Sequence, residues 1–475
     1  MSASRTYLSG VCLALGLSLT GCDTGDSLPR AGDPDRPLII GAVQHVGSIQ
    51  VNDQQLTTGN SQVTIEGSFA EVSELRPGQR VIMSTDSSQT IAIAIQYDAN
   101  LLGPAANVSL AGDSEDPDQI SLEILGQPVI TDAMTIVQGA APETIENDQL
   151  LEISGTRNAD GILVASYIAV HGSMDYFKVI GEVTASDSSG FQIGDLAVDS
   201  RNALLFGFGI AGPTTGDLVT TFIETDGITG PDAVVAEEVQ RIPGIRIAPD
   251  QHVRVQGYIG TFNSPENFRV ANVPITTDDE TQYVNGDVDA LANNRKVLVR
   301  GTIDPVAGLL AQQIDIYHTR SIRVSAPVTA IDEAEQTIDI LGLSFDVRAL
   351  TRFDDKRDDT DPFGLGDLQS SDYLRVRGYA DGDVLYAQRV RREDTRDRAR
   401  LQGPVTAFDF DADEISILGQ PLSLQDGVTV FEEADGSAIS RTEFINRTAR
   451  GVFIRAHWDH FGASTDPVDA LRLIE

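Results

Sequence analysis

Apolar and polar residues alternate at period two in short runs along most of the chain, and the runs stop at Gly, Asn, Asp or Pro. In Leu374-Arg375-Val376-Arg377-Gly378 the alternation is clean, with apolar positions toward a core and arginines toward water. No long pattern of helical period competes with these runs, so the body is expected to be all-β.

The runs recur in a fixed order. Ile39 to Val43, Leu101 to Ala105, Val179 to Val183, Val255 to Ile259, Val324 to Val328 and Leu401 to Val405 share one opening. It is an apolar residue, a small central one (Gly41, Gly103, Gly181, Gly257, Ala326, Gly403) and usually a β-branched residue two further on. A turn follows at Ile124-Leu125-Gly126, Ile340-Leu341-Gly342 and Ile417-Leu418-Gly419, where a tight hairpin needs residues tolerant of positive φ. Ile49-Gln50-Val51, Ile193-Gly194-Asp195 and Val270-Ala271-Asn272 are looser versions. Next comes a Thr-x-aromatic segment, as at Thr281, Thr351 and Thr429, and then an alternating strand ending in Gly155, Gly301 or Gly378. A last strand, Ala165 to Ile168, Ala311 to Ile314 or Ala387 to Val390, closes the unit.

This makes about five strands in roughly 60–78 residues, a period that marks a repeat architecture. A closed small barrel suits such a unit, because a flat sheet of that size would expose its edges. About six modules are expected, at 38–99, 100–176, 177–251, 252–320, 321–398 and 399–475. The pattern resembles the bacterial domain-of-unknown-function family 5666 over nearly all of residues 38–475, most strongly in the second, fifth and sixth modules. The resemblance implies tandem five-stranded OB-like β-barrels in an exported protein, and it carries no chemistry.

Residues 1–22 place Arg5 before the apolar run Leu8 to Leu19, followed by Leu19-Thr20-Gly21-Cys22. A basic start and an apolar run too short to span a bilayer make a secretory signal. The small residues before Cys22 resemble the lipobox of bacterial lipoproteins, which implies lipidation of Cys22 and cleavage before it. Asp23 resembles an inner-membrane retention signal, and residues 23–37 read as a flexible tether. The other cysteine, Cys12, lies in the leader, so no disulfide is expected in the mature body.

Charge narrows the partners. With 71 acidic against 34 basic residues the chain carries −37, and its lysines are only Lys178, Lys296 and Lys356. Such a field keeps a protein hydrated and repels nucleic acid, and only 6% of residues are aromatic. Arg389, Arg391, Arg392, Arg396, Arg398 and Arg400, set among Glu393, Asp394 and Asp397, read as a linker bridging two modules by ion pairs.

Candidate chemistry is sparse. In His457-Trp458-Asp459-His460 a strand would put His457 and Asp459 on one face and His460 on the other, so a zinc site would draw ligands from elsewhere. Asp409, Asp411 and Asp413 alternate as at the start of a calcium loop, without the central glycine or distal glutamate of an EF-hand. They read as a solvated turn and are the weak calcium candidates. Asp354 to Asp361 reads as a solvated loop of mixed charge. No nucleophile elbow, phosphate loop or metalloprotease helix occurs. The expected protein is a cell-envelope lipoprotein held to a membrane through Cys22, facing the periplasm or cell surface. It is expected to act as a non-catalytic structural or interaction scaffold for envelope proteins or glycans, without a cofactor. The alternative is a binding protein for a small ligand, a glycan or a divalent cation.

Overall fold

The computed structural model describes residues 35–475 except 47, 114–115, 211, 244–247, 318–320, 359, 361–362, 464 and 475. Cys22 and the tether up to residue 34 therefore lie outside the described residues. The described chain is β throughout apart from short 3-10 turns and one α-helix, Arg441–Arg447.

Six separate OB-like barrels do not form. The chain winds instead as a β-solenoid of about nine turns, and strands of different repeats are hydrogen-bonded into shared sheets. Leu101–Asp113 pairs with Asp116–Ile124 and Leu150–Arg157 of its own repeat, and also with Tyr176–Glu182 of the next. Ile322–Asp332 likewise pairs with Thr337–Ile340, with Tyr373–Asp381 and with Ala399–Asp409. Leu38–His45 runs parallel to His252–Ser264. Period-two alternation and glycine turns specify a strand and its inner face, but they do not say which edge its backbone groups choose. Here the long first strand of a repeat serves two ladders, and neighbouring repeats cover the edges that a separate barrel would have had to close.

The repeated residues serve the backbone. Gly78, Asp148, Gly216, Asn294, Ser371 and Gly451 have positive φ. Each donates its N–H to the carbonyl of Val43, Ala105, Val183, Ile259, Val328 or Val405 in turn, at 2.7–3.1 Å. Those six opening-motif residues donate back to Gln79, Gln149, Asp217, Arg295, Asp372 and Val452 at 2.8–2.9 Å. The motif threonines act in the same way. The hydroxyls of Thr281, Thr351 and Thr429 donate to the carbonyls of Ala311, Ala387 and Val468, and Thr135 donates to Ala165. At the hairpin, Leu418 and Gly419 take φ of 55° and 79°. The small residue of the opening makes room for that leucine, since a Cβ on Gly403 would fall 2.7 Å from the Leu418 side chain.

The described residues form two compact units. One comprises 35–131, 135–282 and 291–314, and the other 132–134, 283–290 and 315–474. In the second, the strands of residues 322–473 share one sheet. Across it Val390, Val376, Val324, Leu401, Ala456 and Leu471 stand side by side, all fully buried. Each fully buried valine or leucine of this row contributes roughly 1.5–3 kcal/mol. The other face of that sheet holds the site.

The strand-ending glycines are set by close approach. A Cβ on Gly378 would stand 2.1 Å from the Tyr386 carbonyl oxygen, at a register shift after Arg377. Gly155 and Gly301 meet Val164 and Leu310 in the same way, at 2.3 and 2.0 Å. Gly378→Ala is expected to lower stability by roughly 1–3 kcal/mol, as overpacking does. Gly172→Ala, with nothing within 4 Å, is expected to leave the chemical-denaturation midpoint unchanged. Equal midpoints for the two variants would contradict the packing account.

Candidate anion-binding cleft

The polar face of the 322–473 sheet is built by register. Residues directly opposite on paired strands share a face, as do residues two apart on one strand. One cross-strand row reads Arg352, Arg389, Arg377, Arg323, Gln402, Arg455, Arg472 and Glu432. The neighbouring row reads Asp354, Arg391, Arg375, Ser325, Arg400, His457 and Ala470. Nine arginines and a histidine therefore lie on one side of a sheet in a chain of net charge −37. Like charges placed opposite one another across strands oppose sheet formation, so the apolar row beneath must outweigh their repulsion.

At one end of the rows the surface forms a cleft of ≈ 300 Å³ lined by Arg398, Arg400, Arg455, His457 and Arg472, with Glu432, Trp458 and Asp459. That volume lies at the lower limit of ligand pockets. Arg398 and Arg400 are exposed and His457 is half-buried. Arg455 donates from Nε and Nη2 to Gln402 Oε1 at 2.8 and 2.6 Å, and Gln402 donates to the Ser321 carbonyl at 3.0 Å. Arg472 Nε donates to Glu432 Oε2 at 2.8 Å. The Trp458 ring is buried, with its N–H on the Asp466 carbonyl at 3.0 Å and its edge to Phe461. It shapes the wall without offering a stacking face. Arginines converging on one concavity suit bidentate recognition of carboxylate or phosphate.

At the other end the charges are paired. Asp354 accepts from Arg352 Nε and Arg389 Nε, at 2.9 and 2.5 Å. Arg392, on the opposite parity beside Leu374, donates from Nε and Nη2 to Asp355 and lies over the Phe363 ring at 4.5 Å. The Arg392 hydrogen bonds, with backbone N–H groups of Asp358 and Thr360, hold the Asp355 carboxyl far below the usual range. Arg389, Arg391 and Arg392 thus stand in the strand Val384–Glu393, not in a linker. Asp354 and Asp355 close the strand Leu343–Asp355 rather than lying in a solvated loop.

Residues 115–169, 256–315 and 325–391 match the family described as a domain of unknown function, DUF5666. These three segments are similar to that family and together make up less than half of the chain. No curated protein matches it. The last DUF5666 segment contributes Arg352, Arg375, Arg377, Arg389 and Arg391 to the rows, whereas the cleft residues 398–472 lie beyond it. The DUF5666 match brings no chemistry of its own, so the cleft is read from its residues.

The other sequence candidates divide. His457 and Asp459 reach the cleft, whereas His460 lies outside it and faces Asp397 at 3.3 Å. Asp409 Oδ1 accepts the backbone N–H of Asp411 and Ala412, which makes a turn. Asp413 accepts from Arg441 Nη2 at 2.6 Å. Among the described residues no group of three or more His, Cys, Asp or Glu is placed to hold a metal ion.

One cluster in the first unit escaped the sequence reading. Lys178, 1% exposed, donates to Glu66 from the preceding repeats, and Tyr97 OH donates to Glu152 Oε1 at 2.5 Å. His171 Nε2 lies 2.9 Å from Glu152 Oε2. Burial raises Glu66 and Asp98 above the usual carboxylate range, against the pull of Lys178. Burial also raises the Tyr97 phenol, with Glu152 adding to it. The available signal was the scarcity of lysine: Lys178 and Lys296, two of the three, are buried.

Proposed function

We propose that this protein is a lipid-anchored, non-catalytic scaffold of the cell envelope, held to a membrane through Cys22. The observation that carries the scaffold reading is the role of the repeated residues. The six backbone clasps and the threonine bonds use the recurring side chains and turns to hold each repeat together. Repetition of that kind suits presentation of surfaces and multivalent contact. A second reading, ligand binding, is favoured by the arginine cleft. It is not favoured at the Asp409 turn, where the carboxylates already hold backbone and Arg441.

Fractionation of cells tests the anchor. The wild-type chain is expected in the membrane fraction, released by detergent, with an acylated peptide beginning at Cys22. Cys22→Ala is expected to lose the acylated peptide and the detergent-dependent release. A wild-type chain recovered without acylation from the aqueous fraction would overturn the anchored reading.

A further inference from the structure

We propose that the apolar segment from Leu204 to Ile210 dips into the interface of a zwitterionic lipid bilayer, a second membrane contact besides the anchor. The proposal rests on the anchored reading for one thing only, that a bilayer lies within reach. In a chain with 22% charged residues, none occurs from Asn202 to Gly216. Leu204 and Leu205 are 59% and 41% exposed, and Ile210 is fully exposed. Clustered apolar surface of this kind marks an interaction site, as scattered single residues do not. The segment is held from below, because Ala203 and Phe208 pack against the buried core of the first unit. Gly207 turns the chain after the strand with φ of 80°. At Gly212 the chain is back beside Leu205, where a Cβ would stand 3.6 Å from Cδ1.

Charge and reach select the occupant. The flanking arginines are already neutralised in pairs, Arg201 with Asp199 and Arg241 with Asp217. A neutral apolar segment suits zwitterionic lipid, whereas the net charge of −37 opposes both an anionic surface and a second copy of the chain. Leu204–Phe206 is moreover a short edge strand that pairs only with Glu238–Arg241. Three residues would give a second copy few backbone bonds. Asp35, the first described residue of the same unit, is thirteen residues from Cys22. That length spans at most about 45 Å. Glu238 stands opposite Leu204, and a carboxylate stays in the headgroup layer, so the contact is shallow, about 5–10 Å deep.

The test reconstitutes the full chain into phosphatidylcholine vesicles, with Ile210→Trp as the probe. The chain's single tryptophan, Trp458, is buried, so the wild type is the blank. Lipid brominated near the headgroup end of its acyl chains is expected to cut the new fluorescence about twofold or more, and lipid brominated near the chain ends less. Vesicles rich in phosphatidylglycerol should quench less at low salt, and stronger quenching there would overturn the zwitterionic occupant. Adding Leu204→Ser and Leu205→Ser should weaken the quenching at least twofold while the melting curve stays in place. Val306→Trp, at a position 95% exposed in the same unit, should stay unquenched. Equal quenching at both positions would mean that the unit lies on the bilayer without using this segment. The two readings fail differently. A chain that floats with the vesicles while Ile210→Trp stays unquenched keeps the anchor and overturns the insertion. A chain without acylation whose Ile210→Trp is quenched at high lipid loses the anchor and keeps the insertion. An unquenched tryptophan in a chain that dimerises in detergent, with the dimer lost on the two serine changes, would assign the edge to a second copy.

Discussion

Arg392→Met is expected to destabilise the second unit by about 3–5 kcal/mol, the usual result of leaving a buried charge without its partner. The Asp355 side chain is fully covered, and Arg392 meets it with two nitrogens. Asp372 faces the same guanidinium at 3.6 Å, so two carboxylates lose a cation together. Asp355→Asn should cost less, because the amide oxygen still accepts the Arg357 and Asp358 N–H groups that Oδ1 accepts, and Arg392 keeps Asp358 and Asp372. Calorimetric unfolding of the full chain separates the cases: the transition of the second unit should fall several degrees further for Arg392→Met than for Asp355→Asn. A shift in the opposite order would mean that Arg392 packs on Phe363 without supporting Asp355.

The same pair sets a pH dependence. Because the folded carboxyl of Asp355 titrates well below the unfolded one, the unfolded chain takes up a proton first as the pH falls. The contribution to stability is therefore complete above the ordinary aspartate range, near about pH 4. It is lost as acidification proceeds below it. Stability of the wild type should fall more steeply below that range than stability of Asp355→Asn.

How much of this was legible in the residues depends on what each residue answers to. The all-β class followed from alternation such as Leu374 to Gly378, because a strand's two faces are written at period two. The Leu-Gly turns and the strand-ending glycines were visible for the same local reason, as Leu418, Gly419 and Gly378 are fixed by φ or by one neighbouring carbonyl. The continuous winding was not visible, because pairing between Ile322–Asp332 and Ala399–Asp409 is a choice of edge, made through backbone groups that every residue carries. The cleft was half visible. His457 and Asp459 stood out as a local motif, yet Arg400 reaches His457 only through a ladder spanning more than fifty residues, and Arg472 reaches Arg455 through another. Arg389 to Arg400 looked like a linker because the acidic residues between them resembled one. Arg389 and Arg391 of one strand and Arg400 of the next instead stand on one face of the sheet, and only Arg396 and Arg398 lie between the two strands.

Lys178→Met is expected to destabilise the first unit by an amount that grows with pH, reaching about 3 kcal/mol in mildly alkaline buffer. Lys178 is 1% exposed and holds Glu66 while also attracting Asp98. Burial already raises both carboxyls, and the lysine is what opposes that rise. Without it their folded values move further above the unfolded ones. A carboxyl whose folded value is raised supports the fold below its unfolded value, and that support is lost as pH rises through the folded value. In acid, then, Glu66 and Asp98 can take protons and the variant should stand close to wild type. In alkali they must be buried as unpaired charges. Glu66→Gln behaves differently, because it leaves the ammonium buried with Asp98 as its remaining carboxylate. Lys178→Met combined with Glu66→Gln removes both charges and should recover much of the loss, giving a coupling energy measurable in a double-mutant cycle. Denaturant titrations at two pH values decide it: a Lys178→Met penalty that is the same in acid and alkali would mean that the lysine acts through its packed stem and not through its charge.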